Sequence, residues 1–220
     1  MRGKSRDEAG MKDCPVIVFA KAPVPGQVKT RLVESLGVHG ASQLYERLAS
    51  HTLRTALTSG VGPVALWCAP SAGHPFFRRC ADEFNVELHK QSEGDLCRRM
   101  ADAFQETLKG ATQALLIGTD CPSLTGGDLR EAVLVLGHKA DAVMGPTEDG
   151  GYVLIGLRTL APSLFEGVPW GTEEVLPETR QRLRNQGWVW HELPVRWDVD
   201  RPEDLKRMIA EGYGAMIPDT

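Results

Sequence analysis

Four short segments of this 220-residue chain gather the residue types that hold phosphates, cations and protons. The first is Lys21-Ala-Pro-Val-Pro-Gly26-Gln-Val-Lys29-Thr-Arg31. A stiff Pro/Gly loop that opens a helix exposes backbone N–H groups, and Lys29 with Arg31 adds positive charge beside them, which suits the phosphates of a nucleotide. The same residues read equally as a proline-rich turn followed by a solvated helix face. One glycine and no G-x-x-x-x-G-K-[ST] make the loop neither a Walker A nor a Rossmann fingerprint. The second segment, Gly118-Thr119-Asp120-Cys121-Pro122, follows the apolar run ALLIG. A carboxylate at the end of a buried strand can hold Mg2+ against a diphosphate, because that ion takes few protein carboxylates and completes its shell with phosphate oxygens and water. A turn or helix cap is the commoner local use of Asp-X-Pro. Cys121 beside it has no histidine in a shared motif, which favours a packed thiol over a nucleophile.

The third segment, Gly145-Pro-Thr-Glu148-Asp149-Gly150-Gly151-Tyr152, offers two adjacent acids as base or metal ligand. Its two glycines, Gly150 and Gly151, would let the backbone approach a substrate. Asp-Gly is also a strong hairpin signal, and taken alone the turn is the better reading. In the fourth, Trp197-Asp198-Val199-Asp200-Arg201-Pro202-Glu203-Asp204-Leu205, extended backbone would point Asp198 and Asp200 the same way, so the pair could complete a metal site. Asp200 could equally cap a helix that has Pro202 in its first turn, with Glu203 as capping-box partner. Trp170, in Pro169-Trp170-Gly171-Thr172, would supply an aromatic wall for a base or sugar, or simply begin a helix.

The elements that must position these segments alternate. Strands are expected at 15–20, 64–69, 86–89, 114–118, 141–145, 151–157 and 188–193. Helices are expected from Gln27, over 42–58, 76–84, 94–108, 128–136 and 173–184, and after Pro202. Such alternation predicts parallel βαβ crossovers in a three-layer α/β/α sandwich, whose ligands collect at the carboxyl ends of the strands. The run Gly151–Leu157 follows Asp141–Gly145 too closely for a crossover helix, so that pair is expected to be antiparallel and the sheet mixed. Residues 1–13, MRGKSRDEAGMKD, are charged, lack the apolar middle of a secretory signal and read as a loose tail, which leaves 14–220 as one domain.

Composition narrows the function. A formal net charge of −4, from 25 Lys+Arg against 29 Asp+Glu, argues against a nucleic-acid partner, which would require a basic stripe. Wholly apolar stretches such as Val16 to Ala20 are far too short for a transmembrane segment. Five cysteines without a C-x-x-C pair read as reduced thiols of a cytoplasmic protein. Six histidines show no H-x-H or H-E-x-x-H spacing, which disfavours a zinc enzyme, and no G-x-S-x-G elbow marks a serine hydrolase.

Taken in order, FAKAPVPGQVKTRL, LLIGTDCPSLT, GPTEDGGYVLIGL, PWGT and WDVDRPEDL resemble the bacterial glycosyltransferase-like proteins called radical-SAM/selenodomain-associated transferase 1. These belong to the nucleotide-diphospho-sugar transferase superfamily with the GT-A fold. The likeness runs from about Val16 to Leu205. It implies a GT-A-like sandwich that binds a nucleotide or nucleotide-sugar donor with Mg2+ or Mn2+ and transfers a group to a small-molecule acceptor. The resemblance would place phosphates on the first loop, with Lys21, Gly26, Lys29 and Arg31, and the metal on Asp120 with Asp198 or Asp200. Asp149 or Glu148 would then face the acceptor. Relatives that transfer nucleotidyl groups share the terminal D-x-D-x-P-E-D-L pattern. Pro23 and Pro25 remove two N–H donors from the first loop and so favour a diphosphate-sugar donor over a triphosphate.

Overall fold

The computed structural model describes residues 13–218. Of the tail expected over 1–13, all but Asp13 lies outside the described residues. Seven strands form a single sheet: β1 (Val16–Lys21), β2 (Val64–Ala69), β3 (Glu87–Lys90), β4 (Ala114–Ile117), β5 (Ala142–Pro146), β6 (Tyr152–Leu157) and β7 (Trp190–Glu192). Their order is β3-β2-β1-β4-β6-β5-β7. Every neighbouring pair is parallel except those made by β6, which runs antiparallel to both β4 and β5. The short link after β5 produces this reversal, as the spacing predicts, and turns the hairpin 147–151 to the same sheet edge as the carboxyl ends of the parallel strands.

Among the described residues six α-helices flank the sheet: α1 (Val33–Ser59), α2 (Pro75–Phe84), α3 (Leu96–Thr107), α4 (Gly126–His138), α5 (Val175–Asn185) and α6 (Pro202–Ala210). Side-chain alternation along β1 shows how both faces become core. Val16, Val18 and Ala20 pack in one apolar cluster with residues of α1, α2 and α4, whereas Ile17 and Phe19 pack in another with α3 and α5. Leu44 and Leu48 of α1, with Leu32, bind a third cluster around Trp197, Val199 and Met208, which fixes the final segment beside the first loop. The result is the expected α/β/α sandwich with a mostly parallel mixed sheet.

Two local expectations are corrected. The first helix does not begin at Gln27. Gly26 at φ 78° and Lys29 at φ 48° hold the chain out of helical geometry, so only a 3-10 turn (Thr30–Leu32) precedes α1, and Gly37 at φ 68° breaks α1 itself. Asp200 is not the cap of the last helix. Arg201 occupies that position, and the carboxylate of Asp204, not Glu203, accepts from the backbone N–H groups of Asp200 and Arg201, at 2.8 and 2.6 Å. Among the described residues no helix is long and apolar enough to cross a membrane.

Candidate active site

Strand order reverses between β1 and β4, and an open sheet forms its crevice at such a point. Three loops meet the segment 194–201 there; the Lys29 side chain ties the first to it, and backbone hydrogen bonds tie the other two. Val199 N–H donates to Asp120 O at 2.9 Å, Glu148 N–H to Arg196 O at 3.0 Å, and Arg196 N–H to Pro146 O at 2.9 Å. The buried hydroxyl of Tyr45, from α1, joins the ends of β1 and β4 by accepting from Lys21 N–H at 2.8 Å and Thr119 Oγ1 at 3.1 Å. The Arg196 guanidinium donates to buried Asp128 at 2.6 Å, and the Asp128 carboxylate accepts from the backbone N–H and hydroxyl of Thr125 at the start of α4, both at 2.8 Å. A cleft of about 620 Å³ opens over this framework, and Arg31, Glu148, Asp149, Gly150, Asp198 and Asp200 are among its lining residues.

The acids in and beside the cleft have different surroundings, and Asp120 is not among the residues lining it. Lys29 forms an ion pair with Asp120 and donates to Val199 O at 2.6 Å. Its side chain is only 5% exposed, so it is an interior counter-ion and not a solvated helix-face lysine. The Oδ1 atom of Asp198 is buried with no hydrogen-bond partner among the described residues. Burial and the nearby carboxylates of Asp120, Asp149 and Asp200 push the Asp198 carboxyl up to about 7, against a smaller opposing pull from Lys29. Asp200 pairs with the exposed Arg31 at the mouth. Glu148 is gripped by Arg207 of α6 through both oxygens, at 2.7 and 3.1 Å. Asp149 faces the cleft from the hairpin, and its Oδ1 accepts from Thr147 Oγ1 at 2.6 Å and Gly151 N–H at 3.1 Å. Asp149 thus serves the turn, the better reading of Asp-Gly from the sequence alone, and also lines the cleft.

The other sequence-derived candidates divide. Gly150, at φ 85°, does allow a close backbone approach, but to the chain itself: a Cβ there would lie 2.5 Å from the backbone of Glu173. A Cβ on Gly151 would meet Thr147 Oγ1 at 3.2 Å and Asp149 Oδ1 at 3.3 Å. Trp170 donates to Cys97 Sγ at 3.0 Å and packs edge-on to Tyr152, and it is not among the residues lining the 620 Å³ cleft; Trp197 is the aromatic there. Lys21 donates to Gln27 O at 3.1 Å and borders a separate cleft of about 310 Å³, with Ala69, Pro70, Gln91 and Arg99, at the ends of β1 to β3. Cys121 is buried beside Asp198, and burial with that neighbouring charge pushes its thiol up to about 12, which leaves it inert as a nucleophile. Tyr45, Arg196 and Arg207 escaped the sequence reading because each stands outside a motif, whereas Asp128 carried an overlooked signal, the Thr125-x-x-Asp128 capping box. For the other three the one available signal was an arginine directly before the Trp197-Asp198 segment.

Among the described residues no group of three or more His, Cys, Asp or Glu is arranged to hold a metal ion. A divalent ion would therefore rest on two carboxylates plus oxygens of a ligand. Asp120 and Asp198 fit that role, since the buried Asp198 oxygen lacks a partner and the crowded negative charge favours a cation.

The family model described as "uncharacterized protein conserved in bacteria" (DUF2064) matches residues 52–172. A protein of Desulfovibrio desulfuricans G20, provisionally named a nucleotide-diphospho-sugar transferase, superimposes with TM-score 0.80 at 27% identity over 94% of this chain and 97% of its own. The fold is shared at TM-score 0.61 with 4-diphosphocytidyl-2C-methyl-D-erythritol synthase of Anaerococcus prevotii DSM 20548, at 11% identity over 97% of this chain and 99% of that one. It is shared at 0.54 with glucosyl-3-phosphoglycerate synthase of Mycobacterium tuberculosis, solved with Mn2+, UDP and glucosyl-3-phosphoglycerate, at 11% identity over 100% of this chain and 88% of that one. The neighbours establish a GT-A-like nucleotide-diphospho-sugar transferase fold. No curated protein matches.

Proposed function

This chain belongs to the DUF2064 family of proteins conserved in bacteria, and on that premise we propose that it is a cytoplasmic, metal-dependent transferase. It takes a glycosyl group from a nucleotide-diphospho-sugar donor and passes it to a small-molecule acceptor. The five ordered motifs support placing it in the radical-SAM/selenodomain-associated transferase 1 group.

The observation that carries the reading is the state of the first loop. Ala22 and Val24 already use their backbone N–H groups within the protein and Pro23 and Pro25 have none, so free donors occur only at Gly26 and from Val28 onward. A loop whose first half, 22–25, has no free donor suits a diphosphate better than a triphosphate. Nucleotides and nucleotide sugars feature among the neighbours, and Mn2+ accompanies UDP in one of them, which supports the donor class and the cation.

In this reading Asp120 and Asp198 hold Mg2+ or Mn2+, which when bound offsets diphosphate charge and stabilises the leaving group. Arg31, exposed at the mouth, contacts the phosphates. Asp149, oriented by Thr147 and Gly151 N–H, accepts the proton of the acceptor hydroxyl at its carboxylate. Glu148 has both oxygens committed to Arg207 and serves the wall of the cleft. The remaining contribution is positioning and fixed electrostatics.

A second reading, nucleotidyl transfer from an NTP to a small phosphorylated acid with release of pyrophosphate, is favoured by the fold shared with the Anaerococcus synthase. A module that binds nucleotides without turnover is the third. A thermal-shift screen of nucleotides and nucleotide sugars, with and without Mn2+, tests the ligand class. A donor at about 100 times its Kd should stabilise the protein by ~2.7 kcal/mol, and a protein that responds to no nucleotide contradicts the proposal.

A further inference from the structure

Lys29 and the cation assigned above compete for one carboxylate. The Lys29 ammonium, 5% exposed, already forms an ion pair with Asp120 and is braced by Val199 O at 2.6 Å. A left-handed backbone at φ 48°, ψ 42° delivers it there, a conformation that non-glycine residues seldom adopt. Asp198 contributes a second buried oxygen, which has no partner among the described residues. An ammonium and a divalent ion on the same carboxylate, whose side chain is 49% exposed, would stand a few ångströms apart and repel each other. Asp120 can be shared only if Lys29 moves, and its flexible four-carbon stem allows that once an anion of the ligand offers a better partner.

We propose that Lys29 is a built-in counter-ion that keeps the divalent cation off Asp120 until a nucleoside diphosphate arrives. The inference rests on the metal-dependent reading above and adds an order of events to it. The diphosphate draws the Lys29 ammonium away, Asp120 becomes available beside Asp198, and metal and diphosphate bind cooperatively. By linkage, each raises the affinity of the other by the same factor. In the free protein Lys29 neutralises a carboxylate that would otherwise collect divalent ions without substrate. A lysine that only anchors phosphate predicts no effect on metal binding in the absence of nucleotide. A lysine that only ties the loop to Val199 predicts weaker metal binding when it is removed.

The test is calorimetric titration of Mn2+ into the full chain without nucleotide and with saturating UDP or GDP, for wild type and Lys29→Met, with Lys29→Gln as a second variant. The electron paramagnetic resonance signal of free aqueous Mn2+ serves as an independent readout. Lys29→Met should bind Mn2+ without nucleotide about tenfold more tightly than wild type, within the usual range of coupling between sites. Direct ligation of the metal by phosphate persists in this variant, so the nucleotide-free affinity isolates the lysine. Unchanged or weaker nucleotide-free Mn2+ binding in a folded Lys29→Met or Lys29→Gln protein overturns the proposal. Should neither variant fold, wild-type binding of Mn2+ that is equally tight with and without diphosphate overturns it. If no protein binds Mn2+ under any condition, the metal-dependent reading itself falls, and the proposal with it.

Discussion

Arg207 holds Glu148 by both carboxylate oxygens while its guanidinium lies 4.5 Å above the ring of Trp197. The same guanidinium donates to Glu211 at 2.7 Å, and Trp197 Nε1 donates to the other Glu211 oxygen at 3.0 Å. Of the two neighbouring acids in the hairpin, this contact occupies both oxygens of Glu148, and Asp149 is accordingly the one proposed to face the acceptor. Asp149→Asn should lower kcat by about 10²- to 10⁴-fold with little change in donor affinity, since a base acts mainly in the transition state. Glu148→Gln should cost stability, at most ~1 kcal/mol for so exposed a pair, and retain most turnover per folded molecule. Steady-state release of nucleoside diphosphate, with melting curves for both variants, checks this. Equal turnover losses in both would merge their roles.

Arg31 reaches the cleft with a side chain 62% exposed, paired with Asp200. Its removal should leave the fold stable, because exposed pairs contribute little. Arg31→Ala should weaken nucleoside diphosphate binding by ~1 to 3 kcal/mol and hardly touch binding of the bare nucleoside. Parallel titrations with UDP and uridine distinguish a phosphate contact from a bystander, for which the two losses would be equal or absent.

Gly150 sits where the hairpin meets the loop before α5. Its φ of 85° and the 2.5 Å approach of a Cβ to the Glu173 backbone leave no room for a side chain. Leu176 N–H donates to Gly150 O at 2.8 Å and locks the approach. Gly150→Ala should destabilise by at least ~2 kcal/mol, a drop in Tm of roughly 4 to 8 °C for a chain of this length. A melting temperature within a degree of wild type would show that the loop yields.

The fold was largely legible because short continuous apolar runs and short turns leave few choices. Val16 to Ala20 must be covered on both faces, and the hairpin through Asp149-Gly150 cannot house a crossover helix. Positions near each loop were legible for the same reason, since strand ends with acids and glycines stand out. Partners were not. That Lys29 would face Asp120 depends on a left-handed residue and on a contact across 91 positions of sequence, and nothing local encodes either. Asp204, one residue beyond the expected Glu203, captured the cap because Arg201, not Asp200, precedes Pro202 at the helix start. Tyr45 and Arg207 lie on helix faces that read as ordinary amphipathic surface, and only the packed tertiary structure brings them to the loops.

Asp120 and Asp198 form the proposed cation seat, so either Asp→Asn change should abolish metal-dependent nucleotide binding and leave the protein folded. Removal of divalent ions with a chelator should have the same effect on wild type, reversed by Mn2+ or Mg2+. Titration of nucleotide with Mn2+ present and absent provides the check. Affinity and metal dependence unchanged in Asp120→Asn would reduce that residue to a turn.

The most direct measurement of the central claim is product analysis of the purified chain with each donor class and a divalent ion. The account predicts slow release of nucleoside diphosphate from a UDP- or GDP-sugar and no pyrophosphate from any NTP, because residues 22–25 of the first loop offer no free backbone donor to a triphosphate leaving group. Pyrophosphate formed from an NTP and a phosphorylated acid, with no nucleoside diphosphate released from any nucleotide sugar, would contradict it.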